Sequence, residues 1–188
     1  MNITKKQFNY LALFTLVGFG LIGFGVIYFV YKKSPLSIFE NGLDWYWQIL
    51  IGGLYGLIIS FIAKQIINSK MMADIRFFFA QIIEELNLQT THILFYSFCA
   101  GVGEEILFRG TIQPILGIWL TSVIFIALHG YINPMNWRIS IYGVFMIFLS
   151  AGLGYLYEHV GMISAMMAHF TVDVVLFSYL QKKNASLP

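Results

Sequence analysis

Long apolar runs constrain this chain more than any other feature. They cover residues 8–31, 45–67, 91–115, 139–157 and 162–180, with a shorter one at 118–131. About 20 apolar residues, each rising about 1.5 Å, cross a hydrocarbon core of about 30 Å. With no water there to pair with the backbone, such runs form helices. Of the 188 residues, 59% are hydrophobic and 11% are charged, against roughly 25% charged in soluble domains. The mean hydropathy is +0.76. The expected fold is all-α: one polytopic membrane domain over residues 1–188, with about six transmembrane helices and one interfacial amphipathic helix. A net charge of +2 gives no footing for nucleic acid. The single Cys99 excludes an internal disulfide, and no CxxC metal pair is present.

Lys5 and Lys6 precede the first run, as in a secretory leader. The run is too long for one at ~36 Å, and no small-x-small cleavage site closes it. It reads as the first transmembrane helix, with Gly18, Gly20, Gly23 and Gly25 permitting close helix approach. Lys32, Lys33 and Ser34-Pro35 end it, and Trp45, Tyr46 and Trp47 form an aromatic belt before the second span. Gly52 and Gly56 make a GxxxG suited to packing within the chain. Over 71–88, Ile75, Phe78, Phe79, Ile82, Ile83 and Leu86 recur at helical spacing, opposite Asp74, Gln81, Glu84 and Glu85. That pattern is an amphipathic helix lying against membrane lipid. Glu84-Glu85 fits its solvated face and carries no chemistry.

Pro114 and Gly117 mark the end of the third span, and Asn133-Pro134 that of the fourth. Residues 1–90 thus hold the N-terminal helices and the amphipathic segment, and 91–180 a four-helix core. Six spans put both termini on one side, with Lys5, Lys6, Lys64, Lys70, Arg76, Arg138, Lys182 and Lys183 against Lys32, Lys33 and Arg109 on the other. The basic excess assigns the N-terminus to the cytoplasm.

Three charged residues interrupt the third span in Gly103-Glu104-Glu105-Ile106-Leu107-Phe108-Arg109-Gly110. Each costs roughly 2.5–3.5 kcal/mol on insertion scales, so a chain that keeps them there is using them. Glu105 and Arg109 stand at i,i+4 with the acid first, the favourable order for an ion pair on one face. Glu104 is turned about 100° away and faces another neighbour. Other spans contribute Phe125 and His129 on one helical face, and His169 with Asp173 on another. Glu104 with these imidazoles could act as a general base on water. The same Glu104, His129 and His169 could instead hold a divalent metal such as zinc. Spacing does not choose between these, since HExxH is absent. The plainer alternatives are a helix-packing hydrogen bond for Glu104 and satisfied core histidines for the rest. His92 and His159, at expected helix ends, are left out of the site.

Glu104-Glu105-x-x-x-Arg109, Phe125-x-x-x-His129 and His169-x-x-x-Asp173 follow in order on successive spans. This resembles the CPBP family of intramembrane proteases, also called the Abi or CAAX prenyl protease type II family, over roughly 91–180. The resemblance implies a helical membrane core and peptide-bond hydrolysis within or near the bilayer. The family includes enzymes that trim prenylated CAAX proteins, and bacterial members associated with peptide processing and bacteriocin self-immunity. By motif position, Glu104 would activate the water with His129 assisting, and His169 with the residue at 173 would steady the oxyanion. Glu105 and Arg109 would support the site, and Phe125 would wall it. The metal-independent glutamate form is the one favoured, so no cofactor is expected. One departure stands out: position 173 is Asp, and an ionised Asp cannot donate a hydrogen bond to an oxyanion. Asp173 is then protonated, or orients His169, or a metal is present. The expected substrate is a peptide or membrane protein in a bacterial cell membrane; the oligomeric state is not encoded in any motif. Rival readings are a non-catalytic membrane scaffold or immunity protein, and a small proton-relay transporter, although no inverted repeat is found.

Overall fold

The computed structural model describes residues 4–184. Among them, helix α1 spans Lys5–Phe29, α2 Trp45–Ile67, α3 Ala73–Leu86, α4 Thr90–Leu107, α5 Gln113–Leu128, α6 Trp137–His159 and α7 Met162–Asn184. Thr4 caps α1 by accepting from the Gln7 backbone N–H. Within α1 the turns from Phe14 to Phe19 are π-helical, and a second π-helical turn, Phe108–Ile112, joins α4 to α5. The described helices are long and apolar, and the chain is an integral membrane protein.

Five helical stretches are long and apolar enough to cross a membrane, fewer than the six expected. The difference lies in Thr90–Leu128, which counts as one stretch of 39 residues. It is not straight. Gly117 has φ 74° and ψ 170°, a conformation open to glycine and to few other residues. Phe108 and Phe125 stack edge to face with ring centroids 4.7 Å apart, where an unbroken helix would separate them by about 25 Å. The chain therefore doubles back at Gly117. The returning arm ends at Leu128 rather than 131 and reaches only about 16 Å, half of a hydrocarbon core. Residues 129–136 continue without a helix, their polar groups paired locally: the Asn133 N–H donates to Ser140 Oγ at 3.0 Å, and that hydroxyl donates back to the Asn133 carbonyl at 2.9 Å. Backbone pairing of this kind is what irregular chain at membrane depth requires.

Contacts between helix ends define two faces. On one, Lys5 Nζ donates to the Asn87 carbonyl at 2.9 Å, Arg138 pairs with Asp74 at 2.6 Å, and Gln181 donates to the Leu88 carbonyl. On the other, the Leu43 N–H donates to the Val160 carbonyl at 2.9 Å and Gln113 donates to Glu158 at 3.0 Å. The start of α1 and the end of α7 share the first face. That face holds most of the basic residues; the side chain of Lys183 lies outside the described ones. Arg109, grouped with the opposite face by sequence, is instead fully buried.

Glycines set the helix spacing, though not all those expected to. Of Gly18, Gly20, Gly23 and Gly25, Gly23 alone meets another helix, against Ile106. Gly52 and Gly56 seat α2 on the backbone of Ser164 and Ala168 in α7, so the GxxxG packs within the chain. Gly103 lies against the Thr15 carbonyl, where a Cβ would collide. Gly103→Ala is therefore expected to cost about 1–3 kcal/mol and lower the midpoint of thermal unfolding in detergent by several degrees. Gly20→Ala, with open space around it, should leave the midpoint unchanged or raise it slightly. Helix α3 is amphipathic as expected, burying Ile75, Ala80, Ile83 and Leu86. Phe78, on its apolar side, is half-exposed with Phe77. Glu84 and Glu85 are exposed, away from the other carboxylates.

Candidate active site

Small residues let three helices converge on one carboxylate. Gly101 admits the backbone of Met166, bringing α7 onto α4. Glu104 and Glu105 then leave α4 on adjacent faces, the first toward a cavity and the second into the packed interior. The fold-back at Gly117 returns α5 antiparallel to the end of α4 and delivers His129 to the depth of Glu104. Helix α7 brings His169 and Asp173.

Glu104, Phe125, His129, His169 and Asp173 all line one cavity of about 320 Å³. Glu104 Oε2 is buried and has no hydrogen-bond partner among the described residues. Its nearest neighbours are His129 Nε2 at 3.4 Å and His169 Nε2 at 3.9 Å. Each imidazole has its other nitrogen committed elsewhere. His129 Nδ1 lies 2.7 Å from the Phe125 carbonyl, an acceptor only, so the ring nitrogen donates. His169 Nδ1 lies 2.7 Å from Glu105 Oε1, which accepts in the same way. Two Nε2 atoms therefore point at a single carboxylate oxygen. A neutral Nε2 and an ionised Oε2 would oppose lone pairs, so a proton belongs between them.

Behind these groups lies a buried polar layer. Arg109 Nε donates to Glu105 Oε2 at 2.9 Å, its Nη2 to Ser150 Oγ at 2.8 Å, and its Nη1 to Gln113 Oε1 at 3.4 Å. Spacing foretold the Glu105–Arg109 pair. It did not foretell that Glu105 also takes the His169 proton. Asp173 Oδ2 is 3.8 Å from His169 Nε2, beyond hydrogen-bond reach, so the group orienting His169 is Glu105 rather than Asp173. The Phe125 ring packs 4.3 Å from that of His129 and 5.9 Å from that of His169. Ser150, Gln113 and the cavity-lining Tyr131 lay outside every motif, as did Phe8 and Leu11 of α1, which wall the cavity. His92 and His159 lie away from it.

For a metal, the donor set does not fit as it stands. Among the described residues, no group of three His, Cys, Asp or Glu side chains converges as ligands around one point. Glu104, His129 and His169 share a cavity without closing on a common centre.

A carboxylate facing two oriented imidazoles lies inside the helix bundle of this membrane protein. Residues 86–175 match the family described as type II CAAX prenyl endopeptidase Rce1-like. Over that segment the chain is similar to this family, as the three motifs implied. The chain is also 40% identical over 86 residues to "Uncharacterized protein YpbD" of Bacillus subtilis (strain 168), a match covering 45% of this chain and 43% of that relative. The match thus spans less than half the length of that relative. No solved structure matches the chain.

Proposed function

We propose that the protein is an intramembrane endopeptidase in which Glu104 activates water for attack on a peptide bond. The observation that carries this reading is Glu104 Oε2, buried, without a hydrogen-bond partner among the described residues, and facing two Nε2 atoms across a cavity. A water in the cavity beside Glu104 gives it a proton as the water oxygen attacks the carbonyl carbon. His129, held by Phe125 through Nδ1, receives or returns a proton through Nε2. The proton then passes to the leaving amine as the C–N bond breaks. His169 in its doubly protonated form donates from Nε2 to the oxyanion, with Glu105 holding Nδ1. This answers the difficulty raised by Asp173: the donor is the imidazole, and Asp173 balances its charge. Glu105, Arg109 and Phe125 position these groups.

The substrate is a membrane-associated protein or peptide, whose apolar part reaches the cavity from lipid. The identity to a Bacillus protein supports a bacterial cell membrane, and the basic face supports a cytoplasmic N-terminus. Comparing protein termini in membranes of cells carrying the native protein or His129→Ala tests the reading. A precursor is expected to accumulate at least tenfold in the variant, with its processed form depleted. Unchanged termini in cells where His129→Ala is stably inserted would leave the scaffold account standing.

A further inference from the structure

Arg109 is bound from a second helix by a residue that no motif contains. We propose that Ser150 of α6 is a positioning residue that, through Arg109 and Glu105, holds the His169 ring with Nε2 toward Glu104. The inference rests on the endopeptidase reading only for what the held ring does; the holding itself is a matter of geometry.

The linkage is continuous and closed to solvent. Ser150 Oγ accepts from Arg109 Nη2 at 2.8 Å, Arg109 Nε donates to Glu105 Oε2 at 2.9 Å, and His169 Nδ1 donates to Glu105 Oε1 at 2.7 Å. Ser150, Arg109 and Glu105 are each 0% exposed. The two oxygens of Glu105 take different partners, so a rotation of the carboxylate that loses one partner loses both. A guanidinium is a rigid plane with its donors in a fixed fork. Held at Nε by Glu105 and at Nη2 by Ser150, that plane cannot turn without withdrawing Nε from the carboxylate. The remaining bond, to Gln113 at 3.4 Å, is longer and comes from the residue four positions on. Ser150 is therefore the short tie between Arg109 and a helix other than its own. A second route leads the same way: the guanidinium carbon sits 5.6 Å from the centre of the Phe125 ring, which meets His169 as well as Phe108 edge to face.

With Nδ1 held by Glu105, a neutral His169 keeps one tautomer, with the Nε2 lone pair toward the cavity. If Ser150 served only to join α6 to α4, its loss would lower stability and leave that tautomer alone. If Ser150 positions the ring, its loss frees Glu105 to drift and lets the proton populate Nε2 as well.

The experiment is a two-bond proton–nitrogen spectrum of the full-length protein, labelled with ¹⁵N-histidine in detergent micelles, at a pH high enough for the His169 ring to be neutral rather than in the doubly protonated form it takes in the reaction. The His169 signals are identified by their disappearance in His169→Asn. In the native protein Nδ1 is expected at the position of a protonated nitrogen. In Ser150→Ala it should move toward the unprotonated position while Nε2 moves the opposite way, and Ser150→Thr, which restores the hydroxyl, should return the native pattern. His129, held by the Phe125 carbonyl, should be unaffected in all three. His169 signals that coincide in folded Ser150→Ala and native protein overturn the proposal. Should Ser150→Ala not fold, Ser150→Cys carries the same expectation at smaller amplitude, and native signals there overturn it equally. No substrate enters this measurement, so its failure leaves the endopeptidase reading untouched, and a failure of cleavage assays leaves this linkage untouched.

Discussion

Replacing Glu104 with Gln is expected to lower cleavage by roughly 10²–10⁴-fold, the range that a positioned general base supplies. The substitution keeps the side chain's size and removes the charge and its capacity to take a proton. The fold should not notice. Glu104 Oε2 has no hydrogen-bond partner among the described residues, and the pair that ties the helices together is Glu105–Arg109. Thermal unfolding of the variant should stay close to that of the native protein, since the substitution keeps the side chain's volume and breaks no hydrogen bond among the described residues. Initial rates on the precursor identified from cellular termini, beside an unfolding curve in detergent, provide both readings. Native rates in a folded Glu104→Gln would end the mechanism.

Arg109→Met has its largest effect on stability. It leaves Glu105 as an ionised carboxylate at 0% exposure with only His169 beside it and its permanent cation gone. Removing one partner of a buried pair costs about 3–5 kcal/mol. For a domain of this size that corresponds to a midpoint lowered by roughly 10 °C. Coupling Arg109→Met to Glu105→Gln should recover much of the loss, because the uncompensated charge is gone. Cleavage should not recover with it, since a Gln at 105 no longer holds His169 as an ionised acceptor does. A double variant that regained both stability and rate would reduce the pair to a packing device.

Much of this arrangement was legible in the residues, for physical reasons that differ from part to part. Glu105 and Arg109 share a face because 3.6 residues make a turn, and the 2.9 Å contact follows from that alone. The bond from Glu105 to His169 was not legible, because it depends on how α7 is rotated about its own axis. That rotation is set by backbone contacts at Gly52, Gly56 and Gly101, which spacing within α7 does not contain. The carbonyl of Phe125 was missed for a related reason: attention fell on the ring, while the bond to His129 runs through the backbone. Pro114 and Gly117 divided the third and fourth spans in the sequence, and the chain does reverse at Gly117; what an apolar count did not register is that the returning arm stops at Leu128, half a span long. The α1 residues lining the cavity are Phe8, Leu11, Ala12 and Thr15. Their side chains resemble those of any membrane helix, so no chemical signature distinguished them.

The half-length arm of α5 also acts as a ruler. From the turn at Gly117 to His129, each residue advances the tip by about 1.5 Å and turns it by about 100°, so the number of residues in the arm encodes both the depth and the heading of the imidazole. Adding or removing a single residue would swing His129 away from Glu104 altogether. Depth in the bilayer is thus written into this chain as a count, measured from one glycine.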